Sequence, residues 1–350
     1  MSLRIKPLQA FHGDSILLSF NDNGTTRNIL IDGGPGNTYS KLPKTLKKEI
    51  EQIKKKGESI DLLVITHIDD DHIGGIIKMF EYEDPNLDII KKVWFNSGEL
   101  ISNFFGTEID KKRECPIILR SNPELSVKQG ITLEKLLKKR GYWEQGVIYE
   151  GCNAVQFYDC KIIILSPDKL GLEKLNKKWE TEKGDVLLSR EPCDYKIPIS
   201  QLKDKPFVED QSVPNESSIS FLFEYRGKKI LFLADSHPSV AADSIKKLGY
   251  SPGKKLEVDL VKIAHHSSRK NTCPGLLELI KCSDYLICTN GKRHGLPDKE
   301  PMARIIAANN DMTRLHFNYD NIAQKIFLPE DYRDFNFQCK YLNNGYIGLT

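Results

Sequence analysis

The chain has 350 residues, a formal net charge of +3 and a charged fraction of 28%. These values are ordinary for a soluble globular protein and exclude a disordered or fibrous one. No segment approaches the roughly 20 apolar residues of a membrane helix, and the N-terminus lacks the apolar core of a signal peptide. Eight cysteines without a Cys-x-x-Cys pair favour reduced thiols. We therefore expect a cytoplasmic protein without membrane contact.

The order of the predicted elements indicates two halves rich in strand–helix–strand units. In chain order, the patterns predict strands at 3–8, 15–20, 28–31, 61–66, 93–95, 160–165, 217–224, 229–234, 258–264 and 285–289. They predict helices at 44–56, 73–81, 131–141, 240–248 and 302–309. We expect one domain over 1–310 with an insertion at about 97–129, and a C-terminal extension of short strands packed on it at 311–350.

Residues 66–75 read T-H-I-D-D-D-H-I-G-G and lie between a buried strand and a helix. In an extended loop alternate side chains share one face, so His67, Asp69 and Asp71 can converge. His72 joins them from the turn into the helix. Imidazole and carboxylate groups bind divalent metals, so the segment predicts a metal site. The alternative is a solvated acidic loop with two incidental histidines.

This segment resembles a motif of the metallo-β-lactamase superfamily, His-x-His-x-Asp-His. Asp69 replaces the second histidine, as in the hydrolase domain of the competence protein ComEC. We expect a stand-alone relative of that domain, without the membrane part. Further segments match that family's motifs in order: Phe11-His-Gly-Asp-Ser-Ile16, Ile31-Asp-Gly-Gly34, Asn215-Glu-Ser-Ser-Ile219, Leu231-Phe-Leu-Ala-Asp235, Lys262-Ile-Ala-His-His-Ser-Ser268 and Gly291-Lys-Arg-His294.

The resemblance implies an α/β fold, the four-layer αβ/βα metallo-β-lactamase sandwich, with two divalent metal ions at one edge. The implied metal ligands are His67, Asp69, Asp71, His72, Asp235 and His265, and the implied catalytic residues are Asp71, Asp235, His266 and His294. Asp235 would bridge the ions, the alternative being an N-cap for the following helix. His266 would contact substrate or make an ordinary hydrogen bond, and His294 would face the substrate.

Three residues are expected to support the site. Asp32 would orient the ligand loop without touching metal, and Asn215 would lie near the first ion. Asp14 is either a site residue or part of a turn, and the same alternatives hold for His12.

One departure concerns the first metal, because the family usually supplies it with another histidine. This chain has no histidine between His72 and His237. The first ion would therefore be held by His67, Asp69 and Asp235, and the second by Asp71, His72, His265 and Asp235. An oxygen-rich first site would shift the preference from zinc toward manganese.

The leading hypothesis for function is a dinuclear hydrolase, a phosphodiesterase or nuclease in which a hydroxide bridging the metals attacks phosphorus. Basic residues near the ligands would hold the phosphates of a nucleic acid or nucleotide: Lys262, Arg269, Lys270, Lys292 and Arg293. Their alternative is a solvated rim. Two other functions stay open: a carboxylic ester, lactone or lactam hydrolase, and a metal-bearing regulatory subunit that binds a protein partner through the C-terminal extension.

Overall fold

The structure is a computed structural model that describes residues 3–107, 124–141, 143–181, 193–293 and 295–350. Within these ranges the strands are β1 (Leu3–Pro7), β2 (Ile16–Asp22), β3 (Thr25–Ile31), β4 (Leu62–Val64), β5 (Val93–Trp94), β6 (Val155–Phe157), β7 (Cys160–Ser166), β8 (Ser220–Tyr225), β9 (Lys228–Phe232), β10 (Leu256–Glu257), β11 (Leu260–Lys262), β12 (Ile280–Lys281), β13 (Asp284–Ile287), β14 (Thr313–Phe317), β15 (Phe337–Tyr341) and β16 (Ile347–Leu349). The helices are α1 (Asn37–Ser40), α2 (Thr45–Lys55), α3 (Asp70–Glu81), α4 (Gly98–Phe105), α5 (Glu124–Lys138), α6 (Lys169–Thr181), α7 (Ile199–Leu202), α8 (Val213–Glu216), α9 (Pro238–Lys247), α10 (Pro274–Leu277), α11 (Lys299–Ala308), α12 (Asp320–Ile326) and α13 (Pro329–Asp334), with 3-10 helices at Pro85–Ile89 and Ala264–Ser267.

Most of the described strands belong to two large sheets. The first runs in the order β16-β1-β2-β3-β4-β5, antiparallel from β16 to β3 and parallel from β3 to β5. The second runs in the order β15-β14-β13-β11-β9-β8-β7-β6, parallel from β15 to β9 and antiparallel beyond. Parallel neighbours need crossover connections, and these carry the helices that cover the outer faces.

Buried apolar side chains fill three spaces between the layers. Between the sheets, Phe20 and Ile29 of the first pack with Phe221 and Phe232 of the second. Residues of α2 and α3 cover the outer face of the first sheet. Residues of α9, α11 and α12 cover the outer face of the second. The layers are therefore helix, sheet, sheet and helix, which confirms the predicted four-layer αβ/βα sandwich.

The central strands are buried on both faces, which explains their continuous apolar sequences. In β4, Leu62 and Val64 face the other sheet, whereas Leu63 faces the helical layer. Burial on both sides removes the polar alternation that a solvent-exposed face would require. The chain segments that follow β4, β9 and β11 meet at one edge of the sandwich, where His67 and His265 both approach Asp235.

The last forty residues are integral to both sheets. Strands β14 and β15 extend the second sheet in parallel, and β16 pairs with β1 at the edge of the first. The expected extension at 311–350 therefore supplies strands of the sandwich and contains α12 and α13, which the pattern of short strands did not indicate.

The expected insertion at 97–129 is described in part. It includes α4 and the beginning of α5, whereas residues 108–123 lie outside the described residues. Helix α5 begins at Glu124, earlier than the predicted start at 131. Among the described helices, none is long and apolar enough to cross a membrane.

Candidate metal centre

The segment from β4 to α3 carries four of the predicted ligands. His67 follows the strand, Asp69 is extended with φ −74° and ψ 144°, and Asp71 and His72 lie in the first turn of α3. The helix thus begins at Asp70, before the predicted start at 73. Asp71 projects from a helical turn, and the prediction that it would alternate along an extended loop is wrong. A carboxylate there is favoured by the positive end of the helix dipole.

The turn before β2 packs directly on this ligand loop. The backbone N–H of Asp14 donates to the carbonyl oxygen of Asp71 at 3.1 Å. A Cβ atom on Gly13 would lie 1.9 Å from that same carbonyl oxygen. Only glycine permits so close an approach, which explains the Gly-Asp pair in the opening motif.

Asp32 lies behind the ligand loop and accepts three hydrogen bonds there. Its carboxylate accepts from the backbone N–H of Thr66 at 2.8 Å, from the Thr66 hydroxyl at 2.7 Å and from Nδ1 of His72 at 2.8 Å. Because a carboxylate only accepts, the proton of His72 is on Nδ1 and its Nε2 is free to bind a cation.

Two adjacent histidines, His265 and His266, lie on the short helical turn after β11. His265, His266 and Ser267 all adopt positive φ values, 45°, 51° and 68°. This conformation is rare for residues other than glycine and is typical of functional sites. It turns the two imidazole rings apart, with their centroids 6.0 Å apart and their planes at 71°.

Asp235 stands between two groups of ligands. Its Oδ2 lies 3.8 Å from Nε2 of His67 and 3.7 Å from Nε2 of His265, and Asp69 approaches the same His67 nitrogen at 3.7 Å. We call His67, Asp69, His265 and this oxygen the first half-site.

The other oxygen of Asp235 faces a second group. Its Oδ1 lies 3.3 Å from Nε2 of His72. Nε2 of His266 lies 3.4 Å from Oδ2 of Asp71, and the rings of His72 and His266 are 5.3 Å apart. We call Asp71, His72, His266 and this oxygen the second half-site.

These distances favour a grouping of the histidines that differs from the one expected from the sequence. His265 was expected to bind the second metal, but it faces the side of Asp235 that carries His67. His266 was expected to face the substrate or make an ordinary hydrogen bond; it makes a hydrogen bond to the carbonyl oxygen of Cys288, is 1% exposed and also faces Asp71. The first half-site therefore contains two imidazoles where the sequence predicted one, and the assignment of ligands to each ion stays a prediction.

The residues fit metal ions by two criteria. The buried atoms His67 Nε2, His72 Nε2, His266 Nε2 and Asp235 Oδ1 have no hydrogen-bond partner among the described residues. Buried polar atoms are rarely left unpaired, because each costs about 1–3 kcal/mol. In addition, donor-type atoms of His72, Asp235 and His266, with one oxygen of the neighbouring Asp14, all lie within 4.8 Å of one another. Mixed imidazole and carboxylate donors are compatible with zinc and with manganese.

All four imidazoles are oriented in the same way. Nδ1 of His67 lies 3.0 Å from the Thr66 hydroxyl, and Nδ1 of His265 lies 3.0 Å from Oδ1 of Asn271. Nδ1 of His266 donates to the carbonyl oxygen of Cys288 at 2.9 Å. With an oxygen at every Nδ1, each Nε2 is left as the cation-binding nitrogen.

The raised pKa values of side chains in the cluster favour bound protons. Burial and the Asp71 carboxylate raise the pKa of Asp69 to about 6. Burial opposes charging of His265, but the carboxylates of Asp235 and Asp210 raise its pKa to about 10. Burial likewise opposes charging of His266, whose pKa the carboxylates of Asp14 and Asp235 raise to about 9. Metal ions that bind here replace such protons.

A polar group supports the back of His265. Asn215 donates from Nδ2 to Asp210 at 2.6 Å, and the same Nδ2 lies 3.3 Å from Nδ1 of His265. Asn271 is the acceptor for that Nδ1 and also donates to the backbone carbonyl of Asp235 at 3.2 Å. Asn271 was missed from the sequence, because it stands in no motif that would distinguish it from a loop asparagine.

Helix α5 contacts the ligand loop from outside. The Ser126 hydroxyl donates to Oδ1 of Asp69 at 2.6 Å, and Gln129 donates to Oδ1 of Asp70 at 2.6 Å. Sequence reasoning missed both residues, because they lie more than fifty positions away in a segment with weak periodicity. The insertion therefore contributes to the first half-site.

The five basic residues expected near the ligands do not form one rim. Lys262 is 1% exposed and its ammonium lies 2.6 Å from Asp14, so its assignment to substrate binding is wrong. The Arg269 side chain is 13% exposed and pairs with Asp298 at 2.7 Å, which likewise removes it from a free rim. Arg269 thus joins its own loop to the loop that carries Asp298.

Lys292 and Arg293 are exposed, in agreement with a position at the surface. Nη1 of Arg293 lies 3.2 Å from Nε2 of His12. Burial raises the pKa of Asp70 in the ligand loop, and the charge of Arg293 opposes part of that rise. Lys270 is half-buried. His294, expected to face the substrate, lies outside the described residues.

Comparison with known proteins gives one family match and similarity to solved structures. The sequence model of the metallo-beta-lactamase superfamily matches residues 9–139. No curated protein sequence matches the chain. The structure is similar to a CmlA beta-hydroxylase E377D mutant, with 14% identity and a TM-score of 0.39 over 98% of this chain and 54% of that one. It is also similar to a diphosphatase of the PhnP family, with 14% identity and a TM-score of 0.36 over 83% of this chain and 76% of that one.

The chain thus spans about half the length of the hydroxylase chain that it matches. Similarity to the metallo-β-lactamase superfamily is thus found over residues 9–139, and the helix–sheet–sheet–helix fold is consistent with it. A closer relation to ComEC-like proteins stays a prediction.

Proposed function

We propose that this protein is a dinuclear metal-dependent hydrolase that cleaves phosphodiesters. The observation that carries the proposal is the position of Asp235. Its Oδ1 is 3.3 Å from His72 and its Oδ2 is 3.7 Å from His265. One buried carboxylate that presents each oxygen to a separate ligand set is the arrangement required to bridge two cations.

The residues have distinct tasks in this proposal. His67, Asp69 and His265 would hold one ion, and Asp71, His72 and His266 the other, with Asp235 shared. Two divalent ions would lower the pKa of a bound water from about 15.7 toward about 7 and neutralise charge on an anionic substrate. Asp32 keeps the proton of His72 on Nδ1, and the carbonyl of Cys288 does the same for His266.

The proposed substrate is an anionic diester, such as a nucleic acid or a nucleotide. Support comes from the exposure of Lys292 and Arg293 and from the charge of Arg293, which opposes part of the rise that burial causes in the pKa of Asp70. Exposed cations at this position would hold a phosphate that extends beyond the metals.

A carboxylic ester, lactone or lactam hydrolase is the second candidate. It is favoured by the burial of Lys262 and the pairing of Arg269, which leave fewer free cations than the sequence predicted. A small substrate of that kind needs the metal centre but no extended basic surface.

The two candidates are distinguished by assays on protein loaded with zinc or manganese. Bis-p-nitrophenyl phosphate and p-nitrophenyl acetate are offered in parallel, with Asp235→Asn as the site variant and Asp61→Asn as the control. The proposal requires diester cleavage that the site variant loses and the control keeps. Cleavage of the acetate alone would favour the second candidate, and a metal-loaded protein inactive on both would contradict both.

A further inference from the structure

A lysine is buried beside the second half-site and does not reach solvent. The ammonium of Lys262 lies 2.6 Å from Oδ2 of Asp14, and their side chains are 1% and 3% exposed. The ammonium also donates to the carbonyl oxygen of Ile263 at 3.0 Å. Burying an ion pair gives little net stability, because the desolvation penalty offsets the attraction. Stability alone therefore does not account for this pair.

The free oxygen of Asp14 points to an imidazole. Its Oδ1 lies 3.3 Å from Nδ1 of His266, which is the ring nitrogen that also donates to Cys288 at 2.9 Å. The opposite nitrogen, Nε2, faces Asp71 at 3.4 Å. Asp14 thus approaches the back of the ring, and two oxygens converge on the nitrogen that must carry the proton.

The pair also joins the two loops that supply the second half-site. Lys262 is the last residue of β11, four positions before His266, whereas Asp14 is bonded through its backbone to the carbonyl of Asp71. The distance between the His266 turn and the Asp71 turn therefore depends on the Asp14–Lys262 contact.

We propose that Asp14 and Lys262 are positioning residues that orient His266 toward a cation in the second half-site. The inference rests on the metal binding proposed above. Asp14 acts on the ring electrostatically from behind and not as a ligand, since its Oδ1 lies 3.3 Å from Nδ1 of His266 and has no hydrogen-bond partner among the described residues. Lys262 supplies the positive charge that lets this carboxylate stay ionised inside the protein.

The chain offers a matched control, a second buried lysine–aspartate pair. Lys299 and Asp331 are 0% and 1% exposed and join α11 to α13, with no contact to either half-site among the described residues. The test compares Asp14→Asn/Lys262→Met with Asp331→Asn/Lys299→Met. Each double variant removes a pair without leaving an unpaired buried charge, so both are expected to fold.

The first readout is manganese titration by calorimetry. Wild type is expected to bind two ions. The Asp14/Lys262 double variant should bind the second half-site ion about 10- to 100-fold more weakly, the usual effect of losing a group behind a ligating histidine. The first half-site should keep its affinity, and the Lys299/Asp331 double variant should keep both. Repeating the titration in His265→Ala assigns the remaining binding step to the second half-site.

The second readout is the NMR resonance of the His266 Nδ1 proton in metal-free protein, expected to shift in the Asp14/Lys262 double variant but not in the control. Lys262→Arg, which keeps the cation, should retain a second Kd closer to that of wild type and gives a test if the double variant does not fold. Unchanged affinities would overturn the inference. Complete loss of one ion would also overturn it, since Asp14 would then be a ligand. A wild type that binds no metal would instead contradict the proposed function.

Discussion

Nδ1 of His72 donates a hydrogen bond to Oδ2 of Asp32 across 2.8 Å, which ties the turn after β3 to the first turn of α3. Asp32 has a positive φ of 59°, a conformation that asparagine tolerates as well as aspartate. Asp32→Asn should therefore keep the backbone while losing the charged acceptor.

Asp32→Asn is expected to weaken metal binding at the second half-site by about 10- to 100-fold, because His72 loses its orienting partner. Metal titration measures the effect. The control is Asp61→Asn, which removes another buried carboxylate that accepts a backbone N–H, from Asn28 at 2.9 Å. An equal loss of affinity in both variants would mean that the effect is general destabilisation.

The assignment of His265 to the first half-site and of His266 to the second is tested by combining variants. His265→Ala should remove the first half-site ion and His266→Ala the second. In an Asp69→Ala background, His265→Ala should add little further loss, since residues that serve one ion are not additive. His266→Ala should add its full effect there. Metal analysis after dialysis gives the stoichiometry of each protein, and the reverse pattern would restore the assignment made from sequence.

The contact between α5 and the ligand loop predicts that Ser126 orients Asp69. Removing its hydroxyl should cost about 1 kcal/mol of orienting interaction at Asp69, or roughly fivefold in affinity of the first half-site. Thr132→Ala is the matched variant, because the Thr132 hydroxyl also lies on α5 but bonds only its own helix, to Lys128 at 2.9 Å. Calorimetric titration should show weaker binding in Ser126→Ala alone, and equal behaviour of the two would contradict the prediction.

How far the site could be predicted depends on how local each contact is. His67 to His72 are close in sequence, so a ligand-rich loop between an apolar strand and a helix was enough to place them. The division of His265 and His266 depends on three successive positive φ values without a glycine, a conformation that the residue types do not indicate.

The burial of Lys262 could have been predicted from the sequence of its strand. It follows Leu260 and Val261 in a strand whose described residues are all buried. A lysine in so apolar a strand must either reach solvent at its end or have a buried partner. Ser126 offered no such signal, because its contact with Asp69 joins segments far apart in the chain, and Asn271 offered none because nothing in its sequence surroundings distinguishes it from a loop asparagine.

Acid stability should depend on Asp284, which is distant in sequence from the metal ligands. Burial opposes its ionisation, but His316 and Arg314 lower its pKa to about 2. A depressed folded-state pKa gives stability that is present above the unfolded value of about 3.9 and is lost as the pH falls through about 2. Asp284→Asn should thus lower the melting temperature of metal-free protein at neutral pH. The difference in melting temperature between wild type and variant should become smaller below about pH 4. Melting curves of both proteins over this pH range test the prediction. A difference in melting temperature that does not change with pH would exclude the ionised Asp284 carboxylate as its cause.

The last prediction concerns the exposed cations near the ligand loop. If Lys292 and Arg293 hold a polyanion, neutralising both with glutamine should raise KM for a nucleic acid and leave kcat nearly unchanged. The log–log salt dependence of binding should flatten by a slope of about 0.7 to 0.9 per lost phosphate contact. Cleavage of bis-p-nitrophenyl phosphate should barely change, because that small diester needs only the metal centre.

The control for these cations is the exposed pair Lys246 and Lys247 at the end of α9, a ten-residue helix that leads away from Asp235. Neutralising them removes the same net charge, so it reports the effect of overall charge alone. Binding assays at several salt concentrations should show a flatter slope only when Lys292 and Arg293 are changed. If both double variants behave alike, the cations near the ligand loop are merely solvated. A small uncharged ester would then be the better substrate for this metal centre.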